Sequence, residues 1–195
     1  MRQALAQAIQ NALAQIRATG ASLTSASRAE ALYEGFAFAC VVEALTRLGA
    51  RFELRDQNDA PTNAAVFRTK PGLIYSPEPH TFVLVGLAGS EYELHTDVRV
   101  LGRSQVLHEL DVALIDRTEG ERCRQGRILP RQTKVRLLIE CKFYGRTLPL
   151  HLGREFLGLS SEFPLRVCRH RSRRDPLPPE SPVPRDPPSP ACMRG

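Results

Sequence analysis

Val135-Arg136-Leu137-Leu138-Ile139-Glu140-Cys141-Lys142-Phe143-Tyr144 is a β-favouring run broken near its end by an acid and a base two positions apart. Side chains two apart on an extended chain leave from the same face, so Glu140 and Lys142 are expected to project together. Upstream, His108-Glu109-Leu110-Asp111-Val112-Ala113-Leu114-Ile115 carries Asp111 inside a second such run. The two-residue period puts Leu107, Glu109, Asp111 and Ala113 on one face and His108, Leu110, Val112 and Leu114 on the other. If the strands pair antiparallel, Asp111 stands beside Glu140 and Lys142.

Carboxylates gathered in a half-buried place are tolerated when a divalent ion neutralises them, and Mg²⁺ takes oxygen ligands from one or two carboxylates plus substrate phosphates. The expected cofactor is therefore Mg²⁺, or Mn²⁺ in its place, with Asp111 and Glu140 as ligands. Lys142 then holds or helps deprotonate the attacking water, or stabilises charge building on a phosphate. The chemistry so described is phosphodiester hydrolysis.

Outward from these strands, Tyr92 to Leu101 and Thr81 to Leu87 read as two further strands. The meander is thus placed at 92–101, 106–115 and 135–144, with a charged loop from Arg117 to Thr133. Ser27 to Leu48 reads as a helix stopped by Gly49. Its middle, Phe36 to Val42, is apolar on nearly every side, so it is expected to pack on a sheet with one face and on another helix with the other. Apolar residues from Leu5 to Ile16 at spacings of three and four predict an amphipathic helix over Arg2 to Arg17, and Leu150 to Ser161 predicts a third. Segments 56–62 and 71–79 read as loops. This succession predicts an α/β or α+β layered domain.

The chain has 195 residues, 42% of them hydrophobic and 25% charged, the composition of one globular body rather than a disordered or collagenous one. No window approaches the roughly 18 apolar residues of a membrane span, and the amino terminus lacks the apolar block of a signal peptide, so no membrane partner and a cytoplasmic setting are expected. Five cysteines without paired close spacing support neither a disulfide framework nor a CxxC zinc site. The net charge of +6 is uneven: from Pro164 onward seven Arg face three acidic residues, which leaves only +2 for the rest. Nine of the fifteen prolines also lie there, so 164–195 reads as a Pro/Arg-rich disordered tail. The division expected is 1–26 as amino-terminal helix and connection, 27–163 as the folded domain, and 164–195 as tail.

Asp111 followed by Glu140-Cys141-Lys142 on the next strand resembles the PD-(D/E)xK nuclease superfamily, with the restriction-endonuclease-like fold. The resemblance covers roughly Ala29 to Phe163. It implies a three-layer α/β core with a mixed sheet flanked by helices, and a Mg²⁺-dependent endonuclease acting on DNA. It also implies a catalytic Glu on the first core helix, for which Glu34 is chosen and Glu30, one turn earlier, held in reserve. Arg154, on the helix after the lysine strand, is the implied nucleic-acid contact. Two departures stand out. Leu110 replaces the signature proline, and a Pro/Arg tail follows Phe163 where a strand and helix are implied, as a truncation or shifted reading frame would produce.

The plainer readings stay beside these. Glu140 and Lys142 also suit a surface pair on an edge strand. Glu109 is a further candidate ligand or a solvated carboxylate. His95, His108 and His151 lack ligand spacing, Cys141 suits a small packed group, and the Arg166 to Arg174 cluster suits a solvated run. The rival function is a catalytically inactive nuclease-fold protein that binds nucleic acid or a partner, with a homodimer or a subunit of a defence or repair system left open.

Overall fold

The computed structural model describes residues 26–68, 70–142 and 149–164, with side chains from residue 34 on. The expected helix over Arg2 to Arg17, the side chain of Glu30, residues 143–148 and the tail lie outside them.

Helix α1 (Ala26–Arg47) leads into the sheet through Gly49, whose φ of 83° is open to glycine at little cost. Five strands follow: β1 (Arg51–Asp56), β2 (Thr81–Leu87), β3 (Ser90–Leu101), β4 (Leu107–Asp116) and β5 (Val135–Ile139). They lie side by side in chain order, and each neighbouring pair is antiparallel. The mixed sheet expected from the resemblance is therefore not what the described strands form. Parallel pairing among the described residues is confined to isolated bridges from residues outside the strands, Gly72 to Val98 and Arg131 to Leu101.

Helices cover both faces. Phe38, Val41, Val42 and Leu45 of α1 pack on Phe52, Val83, Val85, Leu94, Val112 and Leu114. On the other side, Val98, Val100, Leu110, Ala113 and Ile115 pack with Cys123 of α2 (Arg117–Gly126), Phe163, and Leu159 of α3 (Leu150–Glu162). The sheet is thus a central layer with apolar residues on both faces, which is what its nearly continuous apolar strands require. Among the described residues no helix is long and apolar enough to cross a membrane.

Three expectations are corrected and one strand is added. Segment 117–133, read as a loop, contains helix α2. Its residues RTEGERCRQG have no apolar periodicity, because the groups it turns inward are Glu119, Gly120 and Cys123. Strand β1 was not anticipated, since Phe52 and Leu54 alternate with charges over only six residues. Strand β5 ends at Ile139, short of the 135–144 run. Finally, α1 packs on the sheet, but Phe36, Cys40 and Glu43 are exposed where a second helix was expected.

Strict alternation also fails in β4. Leu110 shares a cluster with Ala113 and Ile115, while Val112 and Leu114 belong to the opposite face. The face changes on β3 as well, between Leu94 and Val98. The ladder pairs Thr96 with Val112 and Val98 with Leu110, so Asp97 and Asp111 stand opposite each other at the interruption. Asp97 has a φ of 47°, the left-handed region that Asp tolerates better than most residues. The two strands thus break step together at a pair of acids.

Candidate metal centre

Three elements bring acids to that break. Glu34 comes from α1, Asp97 from β3 and Asp111 from β4, and a carboxylate oxygen of each lies within 4.8 Å of the others. Asp97 is buried, and Glu34 and Asp111 are half-buried. Burial first, then the neighbouring Asp111 charge, raises the Asp97 carboxyl to about 6 against the pull of Arg68. A raised carboxyl next to a second carboxylate is the electrostatic mark of a place where negative charge is crowded.

Asp111 is also tied to the end of β5. Its Oδ2 accepts the Cys141 amide N–H at 2.5 Å. The bond takes up the amide that follows the last ladder residues, which explains why β5 stops where it does. Cys141 is buried, and its thiol is pushed up to about 12 by burial and by the Asp111, Glu34 and Glu140 charges. It is an inert packed group there.

Glu140 and Lys142, on either side of Cys141, bond to each other, Oε1 to Nζ at 2.6 Å. The hydrogen bond to Glu140 is the main reason the ammonium is held above its ordinary value, and Asp111 adds to it. Both residues line a cleft of about 360 Å³ with Leu152, Phe156 and Leu159 of α3. The structure therefore brings Glu34 and Asp111 together and attaches Asp111 to the Glu140–Lys142 segment. Glu140 is not one of the three grouped acids. Arg154 is exposed on α3 and does not line the cleft.

Asp97 is the member sequence reasoning missed. It sits in His95-Thr96-Asp97-Val98, on a strand that also carries Glu91, Glu93 and Arg99, so there is no apolar run for its charge to interrupt and no local signal that sets it apart. Other candidates resolve as ordinary contacts. Glu109 is exposed and pairs with Arg99 at 2.9 Å. The His108 ring meets Phe163 edge-on. His95 is buried and bonds Glu93, and His151 is exposed on α3.

Three carboxylates from three elements offer oxygen ligands of the kind a hard divalent cation takes. Compared with known proteins, the chain matches no family model, no curated protein and no solved structure.

Proposed function

We propose that this protein is a Mg²⁺- or Mn²⁺-dependent nuclease that hydrolyses phosphodiester bonds in DNA, of the PD-(D/E)xK type. The observation that carries the reading is the grouping of Glu34, Asp97 and Asp111 within 4.8 Å, with Asp111 bonded to the amide between Glu140 and Lys142. The donor set fits the ion: all its atoms are carboxylate oxygens, and Asp97, raised by burial and then by the neighbouring Asp111 charge, stands where a divalent cation would relieve that neighbouring charge. When bound, such an ion supplies a Lewis acid for a phosphoryl oxygen and a more acidic water.

The chain's own residues do the rest. Asp111 and Asp97 hold the ion from adjacent strands, and Glu34 closes the group from the helix side. Lys142, kept protonated by Glu140, donates to the attacking water or to the phosphate as its charge grows, rather than serving as a base. Glu140 fixes the direction of that ammonium. The preference for DNA rests on the superfamily resemblance.

Cleavage of supercoiled and linear duplex DNA with Mg²⁺ or Mn²⁺ is the test. Asp111→Ala and Lys142→Ala are each expected to lower the rate at least about a hundredfold, in line with loss of an electrostatic stabiliser. Equal rates in all three proteins, or no cleavage by folded wild type, would remove the enzymatic claim. The second reading, a nuclease-fold binding protein that does not cut, is favoured by the engagement of Lys142 with Glu140. Retained DNA binding without cleavage in the same assay would select it.

A further inference from the structure

Resting on that reading of the centre, we infer that Arg68 and Gly72 form a positioning clamp for Asp97, with Gly72 as its jaw and Arg68 as its lock. Asp97 lies at the only described residue of β3 with a left-handed φ, at the point where the β3–β4 ladder breaks. Such a residue is held in place only where its surroundings over-determine it. The surroundings here are Gly72. Its N–H donates to the Asp97 carbonyl at 2.8 Å, and its own carbonyl accepts from the Arg99 N–H at 3.0 Å, so one residue grips the backbone on both sides of Val98.

Arg68 closes over Gly72. Its Nη2 donates to the Leu73 carbonyl at 2.9 Å, and its guanidinium lies over Gly72 where a Cβ would overlap it. Gly72 does not have a positive φ, so a Cβ there would be opposed by the Arg68 guanidinium, which it would displace, and not by backbone strain. Arg68 also faces Asp97 electrostatically. The Asp97 side chain is 8% exposed and forms no hydrogen bond or ion pair among the described residues, although it points into the group made with Glu34 and Asp111. Arg68 and Gly72 touch no substrate in this account: they act through Asp97.

The test uses the full chain and Mn²⁺ alone, titrated by calorimetry, with thermal unfolding followed in parallel. Gly72→Ala displaces the guanidinium, and Arg68→Met removes it. Each is expected to weaken Mn²⁺ binding at least about tenfold, the usual effect of losing a residue that orients a ligand. A merely structural role would lower Tm and leave the Mn²⁺ Kd of the folded protein unchanged. Should either variant fail to fold, amide exchange in the wild type decides: Mg²⁺ is expected to slow exchange at Gly72 and Arg99 about threefold or more. Mn²⁺ binding that is lost in Asp111→Asn yet unchanged in Gly72→Ala and Arg68→Met overturns the clamp alone, as does unchanged exchange at those amides. Wild type that binds no Mn²⁺ overturns the centre itself.

Discussion

Asp97 illustrates how one buried acid can lower the stability of the fold that holds it. Its carboxyl is raised from an ordinary 3.8 to about 6 by burial and by Asp111, so the folded state holds its proton more tightly than the unfolded chain does. For an acid shifted upward, stability falls as pH rises between the two values, and the whole deficit is present above about 6. Asp97→Asn should therefore stabilise the protein at pH 7.5 by about 1 to 2 kcal/mol, allowing for solvent at the site. At pH 3.5 most of the gain should vanish, because the acid is then mostly protonated in both states. Urea denaturation at the two pH values checks this, and an equal gain at both would show that ionisation of the buried acid is not the cause. Legibility at this scale was partial. Asp111, Glu140 and Lys142 could be chosen from local sequence, because each charge interrupts an apolar pattern, whereas Glu34 was chosen only through the superfamily resemblance. The left-handed turn at Asp97 could not, since it depends on hydrogen bonds from a segment more than twenty residues away.

At the scale of the element, α2 is the instructive case. Its buried side holds Glu119, which accepts from Arg131 Nη2 at 2.7 Å and from the Arg131 amide at 2.8 Å, and Gly120, which lies against Glu93 of β3. A helix whose inward face is polar has no apolar stripe to announce it, which is why 117–126 resembles a loop in sequence. Gly120→Ala offers a measure of how tightly this helix is seated. Helix propensity favours Ala by about 1 kcal/mol, but the added Cβ would overlap the Glu93 carboxylate. Overlap against a buried, multiply bonded group should dominate, with a net loss of about 2 kcal/mol in urea denaturation. A neutral or stabilising outcome would mean that α2 shifts freely on the sheet.

At the scale of the whole molecule, one buried network joins parts that the core alone leaves separate. Glu93 is fully buried and accepts from His95 Nε2 at 2.9 Å, from Arg117 Nη1 at 2.8 Å, and from Arg124. Arg117 continues to Asp59 in the β1–β2 connection, Nη2 to Oδ2 at 2.5 Å. Two arginines of α2, an acid of the sheet and an acid of a long connection are thereby locked together. Burial alone would raise the Glu93 carboxyl, but the hydrogen bonds from His95 and Arg124 outweigh it and hold the group near 2. Burial holds His95 below its ordinary value, so its neutral ring donates from Nε2. Because the Glu93 shift is downward, the stability it contributes is complete above the ordinary value of 4.5 and is lost as pH falls toward 2. Glu93→Gln should cost about 3 kcal/mol near neutral pH, since it leaves buried guanidinium groups without their counter-charge. The variant should also lose part of the acid dependence below pH 4.5 that the wild type shows. A variant with unchanged acid unfolding would place that dependence on other carboxylates.

What the sequence by itself determined is the layered α/β plan and most of its parts. Apolar runs of strand length and an apolar helix can lower their free energy only by covering one another, and those patterns are local. Helix α1, strands β2 to β4 and helix α3 were legible within a few residues for that reason, whereas Glu140, expected beside Asp111 as a ligand, pairs with Lys142 and stands outside the acid group. Tertiary structure alone decided the antiparallel order of the described strands, the polar helix α2, the early end of β5 at the Asp111–Cys141 bond, and the inclusion of Asp97 in the acid group. Each of these depends on hydrogen bonds or charges between residues far apart in the chain, and such pairings leave no periodic trace in the order of the amino acids.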